Sequence, residues 1–184
     1  MSSAKLLQLL TSSVLGSGLL LGTGCAKTAT TENGVLMHTN FDRLSGWVGD
    51  VPSLTRDKAH SGAYSIVVKP GLERSLGYDN TLSQLCDRRP TKIRLSAWIL
   101  RTGSPPAAKL LVEIKNHEAD TQLAGDSIDL GKEIRQSGTW QRVEHVLLVP
   151  QKASADSRLM VYMLGAGASQ PTYLDDLTLS LVTE

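Results

Sequence analysis

From Val35 to the C-terminus, apolar and polar residues alternate in one short run after another. In residues 91–100, Ile93, Leu95, Ala97 and Ile99 share one face, while Lys92, Arg94, Ser96, Trp98 and Leu100 share the other. Residues 109–116 repeat the pattern, with Leu110, Val112 and Ile114 set against Leu111, Glu113 and Lys115. The same reading predicts strands over 35–40, 53–56, 63–69, 78–82, 126–130, 141–149, 158–164 and 172–182. No stretch of this body carries the 3.6-residue period of an amphipathic helix. Turn residues stand between the runs: His60-Ser61-Gly62, Gly103-Ser104-Pro105-Pro106 and Gly165-Ala166-Gly167. About ten strands in one body over residues 35–184, with no internal repeat, predict an all-β domain made of two packed sheets.

The first 24 residues read differently. Lys5 precedes an apolar run from Leu6 to Leu21, interrupted by Thr11, Ser12, Ser13, Gly16, Ser17 and Gly18. That run falls short of the roughly 20 unbroken apolar residues of a spanning helix and reads as an export signal. It ends in Leu21-Gly22-Thr23-Gly24-Cys25, which resembles the lipobox of bacterial lipoproteins, with Leu four residues before the cysteine instead of three. The resemblance implies that Cys25 carries a diacylglycerol and becomes the mature N-terminus. The lipid bilayer is then a partner, and the protein is anchored in the cell envelope at the outer membrane, facing the periplasm or the cell surface. The alternative is a plain secretory signal with an incidental cysteine. Residues 26–34, polar and small, suit a flexible tether. With Cys25 acylated, Cys86 is the one remaining thiol; it forms no internal disulfide and reads as a small buried hydrophobe.

Composition narrows the functions further. Removing residues 1–24 from 184 leaves 160, enough for one core and no second catalytic domain. The whole chain has 19 Lys plus Arg against 18 Asp plus Glu, and the signal removes Lys5. A mature chain without net side-chain charge is not built to bind nucleic acid or to read a membrane through a polybasic patch. Aromatic residues make up only 4 %, so stacking platforms are scarce.

Several short motifs then fall in a recognisable order. Asn40-Phe41-Asp42 precedes Gly46-Trp47; next come Ala59-His60-Ser61-Gly62-Ala63-Tyr64-Ser65-Ile66 and Leu95-Ser96-Ala97-Trp98-Ile99. Gly138-Thr139-Trp140-Gln141-Arg142-Val143 follows, then Leu159-Met160-Val161-Tyr162, and last Tyr173-Leu174-Asp175-Asp176-Leu177. This series resembles the galactose-binding-like β-jelly roll, in particular the carbohydrate-binding modules appended to xylanases and glucanases. It covers nearly all of residues 35–183.

The resemblance implies one structural Ca2+ between the first strand, the Ala-His-Ser-Gly loop and the last strand. Asp42 matches the first-strand acid, Asp175 or Asp176 the last-strand acid, and the loop near Asp57 and Lys58 the carbonyl donors. On strand parity Asp175 shares a face with Tyr173, Leu177 and Leu179, which points it inward and demands a partner. The alternative is an Asp175 that caps loop amides with no metal.

A carbohydrate-binding module stacks sugar rings on exposed aromatics and holds hydroxyls with polar side chains. Trp98 and Tyr162 lie opposite their apolar rows, and both are expected on the outer, concave face of one sheet with Arg94, Glu113 and Gln141. The alternative for Trp98 is packing under a neighbouring strand or loop. Trp47 and Trp140 occupy packing positions in the motifs. His38, His60, His117 and His145 have no zinc-ligand spacing, and His145 alternates with Val143 and Leu147, which points it inward. There is no nucleophile elbow and no phosphate loop, and no spacing pairs two of the scattered carboxylates for glycoside hydrolysis. The chain therefore reads as a non-catalytic carbohydrate binder with a polysaccharide or glycan partner. The alternative is a structural or protein-interaction sandwich of the envelope.

Overall fold

The computed structural model describes residues 34–44, 46, 51–104, 108–165 and 167–182. Cys25, the signal and the tether up to residue 33, and Trp47, lie outside the described residues. The body contains β1 (Val35–Thr39), β2 (Leu54–Thr55), β3 (Ser65–Val68), β4 (Tyr78–Thr81), α1 (Leu82–Leu85), β5 (Lys92–Arg101) and β6 (Lys109–Lys115). These are followed by β7 (Gln122–Asp129), α2 (Leu130–Glu133), β8 (Gln141–Leu148), β9 (Arg158–Leu164) and β10 (Thr172–Leu181). No helix of the described residues is long and apolar enough to cross a membrane.

The strands form two antiparallel sheets. The first has the order β2-β3-β10-β5-β8, with β1 also paired to β10; the second has the order β4-β9-β6-β7. The alternating rows seen in the sequence face each other across the gap. Ile93, Leu95, Ala97 and Ile99 of β5 and Leu174, Leu177 and Leu179 of β10 meet Leu110, Val112 and Ile114 of β6 and Leu159, Val161 and Met163 of β9 in one buried cluster. Each Val, Leu, Ile or Met side chain among these stabilises the fold by about 1.5–3 kcal/mol relative to its exposed state. Along one side of the sandwich β7 comes close to β8, and His145 Nε2 lies 2.7 Å from Asp126 Oδ2, tying the two sheets. The inward histidine is therefore found as its alternation implies.

Three departures from the sequence reading have local causes. Strand β7 begins at Gln122 and not at residue 126, because it is an edge strand whose Gln122, Gly125, Asp126 and Ser127 are exposed and leave no apolar alternation to read. The helices α1 and α2 are single turns of four residues, too short to show a helical period; the Asp129 carboxylate caps α2 by accepting from Gly131 N at 3.0 Å. In β10 the register slips between Asp175 and Thr178, and Asp176 adopts φ 47°, the extra residue of a β-bulge. Cys86 is half-buried against the core, and its thiol, 3.6 Å from the Leu82 carbonyl, is pushed above its ordinary pKa by burial.

Candidate functional site

On the outer face of the second sheet, Tyr162 stands opposite the Leu159, Val161 and Met163 row, as its parity requires. Its hydroxyl donates to Glu113 Oε2 at 3.2 Å from the neighbouring β6. The Arg74 guanidinium lies 3.7 Å above the Tyr162 ring centroid, within cation–π range. Arg74 is held there by its backbone: it bridges Leu164, Ser75 N donates to the Met163 carbonyl at 3.1 Å, and Gly165 N donates to the Glu73 carbonyl at 2.7 Å. Residues 73–75 thus run along β9. Tyr162 is only 8 % exposed, so the group presented to solvent is the exposed guanidinium and not the phenol ring. Beside this trio lies a shallow depression of ≈ 350 Å³ lined by Leu111, Glu113, Gln122, Gly125, Asp126 and Ser127. Gly125 is paired with Glu113, and a side chain there would collide with the Gln122 amide. Its absence keeps the carboxylate accessible from β7.

Trp98 and Arg94 do not join this group. Both lie on β5, which belongs to the first sheet, so the expected platform of Trp98, Tyr162, Arg94 and Glu113 is split between two opposite outer faces. Strand parity tells which way a residue points but not which sheet receives the strand. Trp98 is half-buried, its ring stacked on the His60 imidazole with centroids 4.0 Å apart and planes at 15°; Trp140 meets His60 edge-on at 5.6 Å. The stacking covers one face of the Trp98 ring. Gln141 is also occupied: its Oε1 accepts from Arg135 N at 3.0 Å and its Nε2 donates to the Gln136 carbonyl at 2.8 Å.

The motif acids close a loop. Along one edge of β10, β3 pairs with Thr172–Leu174 and β1 with Leu177–Ser180, which leaves a gap at the bulge. The loop around His60 docks there. Asp175 Oδ2 accepts from His60 N at 2.7 Å and Ser61 N at 3.0 Å, and its Oδ1 accepts from Asp176 N at 2.7 Å. Asp176 takes the side chains, with Ser61 Oγ donating to Oδ1 at 2.6 Å and His60 Nδ1 standing 2.5 Å from Oδ2. Asp42 holds the far end of the loop, its Oδ1 accepting from Ala63 N at 2.8 Å and Tyr64 N at 2.9 Å, and its Oδ2 from Asn40 Nδ2 at 2.9 Å.

Asp175 is fully buried, as expected, but on the other side of β10: it shares a face with Tyr173, while the bulge returns Leu177 and Leu179 to the core. Burial raises its carboxyl above the ordinary range, and the hydrogen bonds from Ser61, Asp176 and His60 pull it partway back. The cation implied by the resemblance fits poorly here. Asp42 and Asp175 are surrounded by N–H donors, the environment of a capped anion and not of a metal ligand. Among the described residues no three His, Cys, Asp or Glu side chains are grouped to hold a metal.

The two-sheet fold has counterparts among solved structures. The C-terminal family 22 carbohydrate-binding module of Clostridium thermocellum Xyn10B aligns with a TM-score of 0.53 at 16 % identity, over 83 % of this chain and 98 % of that one. The fold is the jelly roll of such modules. The CBM22-1 xylan-binding domain of Paenibacillus barcinonensis Xyn10C aligns on the same jelly roll with a TM-score of 0.50 at 14 % identity, over 83 % of this chain and 97 % of that one. No family model matches the chain, and no curated protein matches it in sequence.

Sequence reasoning missed Arg74, which sits in a segment without alternation. Glu73-Arg74 beside Gly71 and Gly77 carries no signal that it will lie along β9. Tyr162 and Glu113 are found together as expected, each by its parity.

Proposed function

We propose that the protein binds carbohydrate without catalysis, on the outer face of the second sheet. The reading rests on one observation above the others: Arg74, Tyr162 and Glu113 form a cluster of guanidinium, phenol and carboxylate on an open sheet face, beside the depression at Gln122 and Asp126. The guanidinium gives a flat surface and several N–H donors for a sugar ring and its hydroxyls, and Glu113 gives acceptors. Tyr162 holds both in place. The solved modules of the same fold, one of them described as xylan-binding, make a polysaccharide the first partner to try.

The test is calorimetric titration with xylohexaose and affinity electrophoresis on a panel of polysaccharides. Glu113→Gln and Arg74→Ala are each expected to weaken binding about tenfold, the worth of a hydrogen bond to a charged group. Binding unchanged in both variants, or no glycan retarding the protein, refutes the reading.

The anchor is part of the same proposal. Cys25 is acylated, the 26–34 stretch serves as tether, and the domain sits at the outer membrane of the cell envelope. The residue pattern 21–25 supports this. Cys25→Ala is expected to move the protein from the membrane to the soluble fraction and to remove the lipid mass from the intact chain. A second reading, a protein-interaction domain of the envelope, draws on Val146 and Leu148, large apolar side chains of the first sheet that are 40 % and 65 % exposed. Leu148→Asp separates the two, since it leaves glycan binding intact and removes a protein partner.

A further inference from the structure

The two long sides of the sandwich differ. One is drawn together by β7, β8 and the His145–Asp126 pair. On the other side the described residues leave the core unfilled. A cavity of ≈ 300 Å³ enters between the sheets, walled by Met37 and Thr39 of β1, Leu174 and Leu177 of β10, Tyr78 of β4 and Met163 of β9. A second hollow of ≈ 280 Å³, lined by His38, Thr39, Asn40 and Arg43, adjoins it, and the two share His38 and Thr39.

Their chemistries are complementary. The inner walls are almost wholly apolar and give water few of the two to four polar partners it needs, so an apolar guest is favoured there. The volume is about twice the ~150 Å³ that holds a benzene in a dry engineered cavity. At ~30 Å³ for each small group it admits a chain of about ten carbons. The outer hollow carries a positive charge. Arg43 is exposed and forms no ion pair among the described residues, while its neighbour Asp42 is turned into the His60 loop and held by the Ala63 and Tyr64 amides. His38 is fixed by its Nδ1 contact with Thr178 Oγ1 at 2.9 Å.

We propose that this double hollow binds a single-chain amphiphile, a free medium-chain alkyl carboxylate, with the tail between the sheets and the carboxylate at Arg43. The site shares Tyr162 with the proposed sugar-binding cluster, but Arg74 and Glu113 do not line it, and the proposal does not depend on that reading.

The chain offers its own reporters. Met37 and Met163 wall the cavity, whereas Met160 points to the outer face of the second sheet. In the full chain labelled with ¹³C-methyl methionine, decanoate is expected to shift the Met37 and Met163 signals and to leave Met160 in place. From hexanoate to decanoate the Kd is expected to tighten about fourfold per methylene and then to level off as the cavity fills. Arg43→Glu, a change at an exposed position, is expected to weaken decanoate roughly fivefold while 1-decanol binds as before. Decanoate that shifts neither Met37 nor Met163, or affinity that ignores chain length, overturns the proposal. So does an effect of phospholipid vesicles on those methyls where decanoate has none, which would make the ligand a membrane lipid. Equal weakening of decanoate and decanol by Arg43→Glu overturns the placement of the carboxylate.

Discussion

Replacing Gly62 by alanine tests how the His60 loop is held. Gly62 has φ +61°, a left-handed conformation that costs an L-residue about 1–2 kcal/mol. A Cβ added there would overlap Asp42 Oδ2 and stand 2.5 Å from its Cγ and 2.8 Å from its Oδ1. The carboxylate must therefore leave its place, and the Ala63 and Tyr64 amides lose a charged acceptor. Ala63 is exposed and recovers a water, while Tyr64 is half-buried and recovers less. That loss is worth about 2–3 kcal/mol, so Gly62→Ala is expected to destabilise the domain by about 3–5 kcal/mol. For a domain of this size the melting temperature falls on the order of 10 °C.

A double-mutant cycle isolates the cause. Once Asp42→Ala has removed the carboxylate, adding Gly62→Ala should cost only the backbone strain of about 1–2 kcal/mol, leaving a coupling energy of about 2–3 kcal/mol. Urea unfolding of the four proteins, followed by circular dichroism, gives that number. Strict additivity would refute the reasoning, because it would mean that Gly62 and Asp42 stabilise the fold independently.

Other outcomes follow from the same geometry. Arg101 is buried and donates from Nε to the Ile134 carbonyl at 3.1 Å and from a terminal nitrogen to the Arg135 carbonyl at 2.7 Å, with Gly103 as a third acceptor. Arg101→Ala leaves these carbonyls without a donor and is expected to cost about 2–4 kcal/mol of unfolding free energy measured by urea titration, a result contradicted by a loss within the error of wild type. His60→Ala uncovers Trp98, so acrylamide quenching of its fluorescence should rise, with Trp98→Phe serving to subtract the other tryptophans; unchanged quenching would show that His60 does not cover the ring. Since Asp42 and Asp175 already accept amide hydrogens, EDTA should leave the melting temperature where it is, and a clear drop would show a cation at the loop.

Much of this protein is written in its local chemistry. Alternation of apolar and polar residues placed the strands to within a few residues, since a strand half-buried in a sandwich needs one apolar face and that need is met residue by residue. The inward rows of β5, β6 and β9, the inward His145 and the outward Tyr162 and Glu113 all follow from parity alone. Parity is silent on partners. Trp98 and Tyr162 both point away from the core, but whether they meet depends on β5 joining β10 and β8 while β6 joins β9, a choice made by the packing of the whole chain. A single bulge at Asp176 breaks the parity between Asp175 and the following leucines, so Asp175 stays with Tyr173 on the outer face while Leu177 and Leu179 turn to the core. Arg74 reaches the Tyr162 ring only because residues 73–75 run along β9, a contact across 88 positions that no local period records. Side-chain direction is a property of a few neighbouring residues and is legible in them; a binding face is a property of strands that come together from distant parts of the chain, and only the folded sandwich decides it.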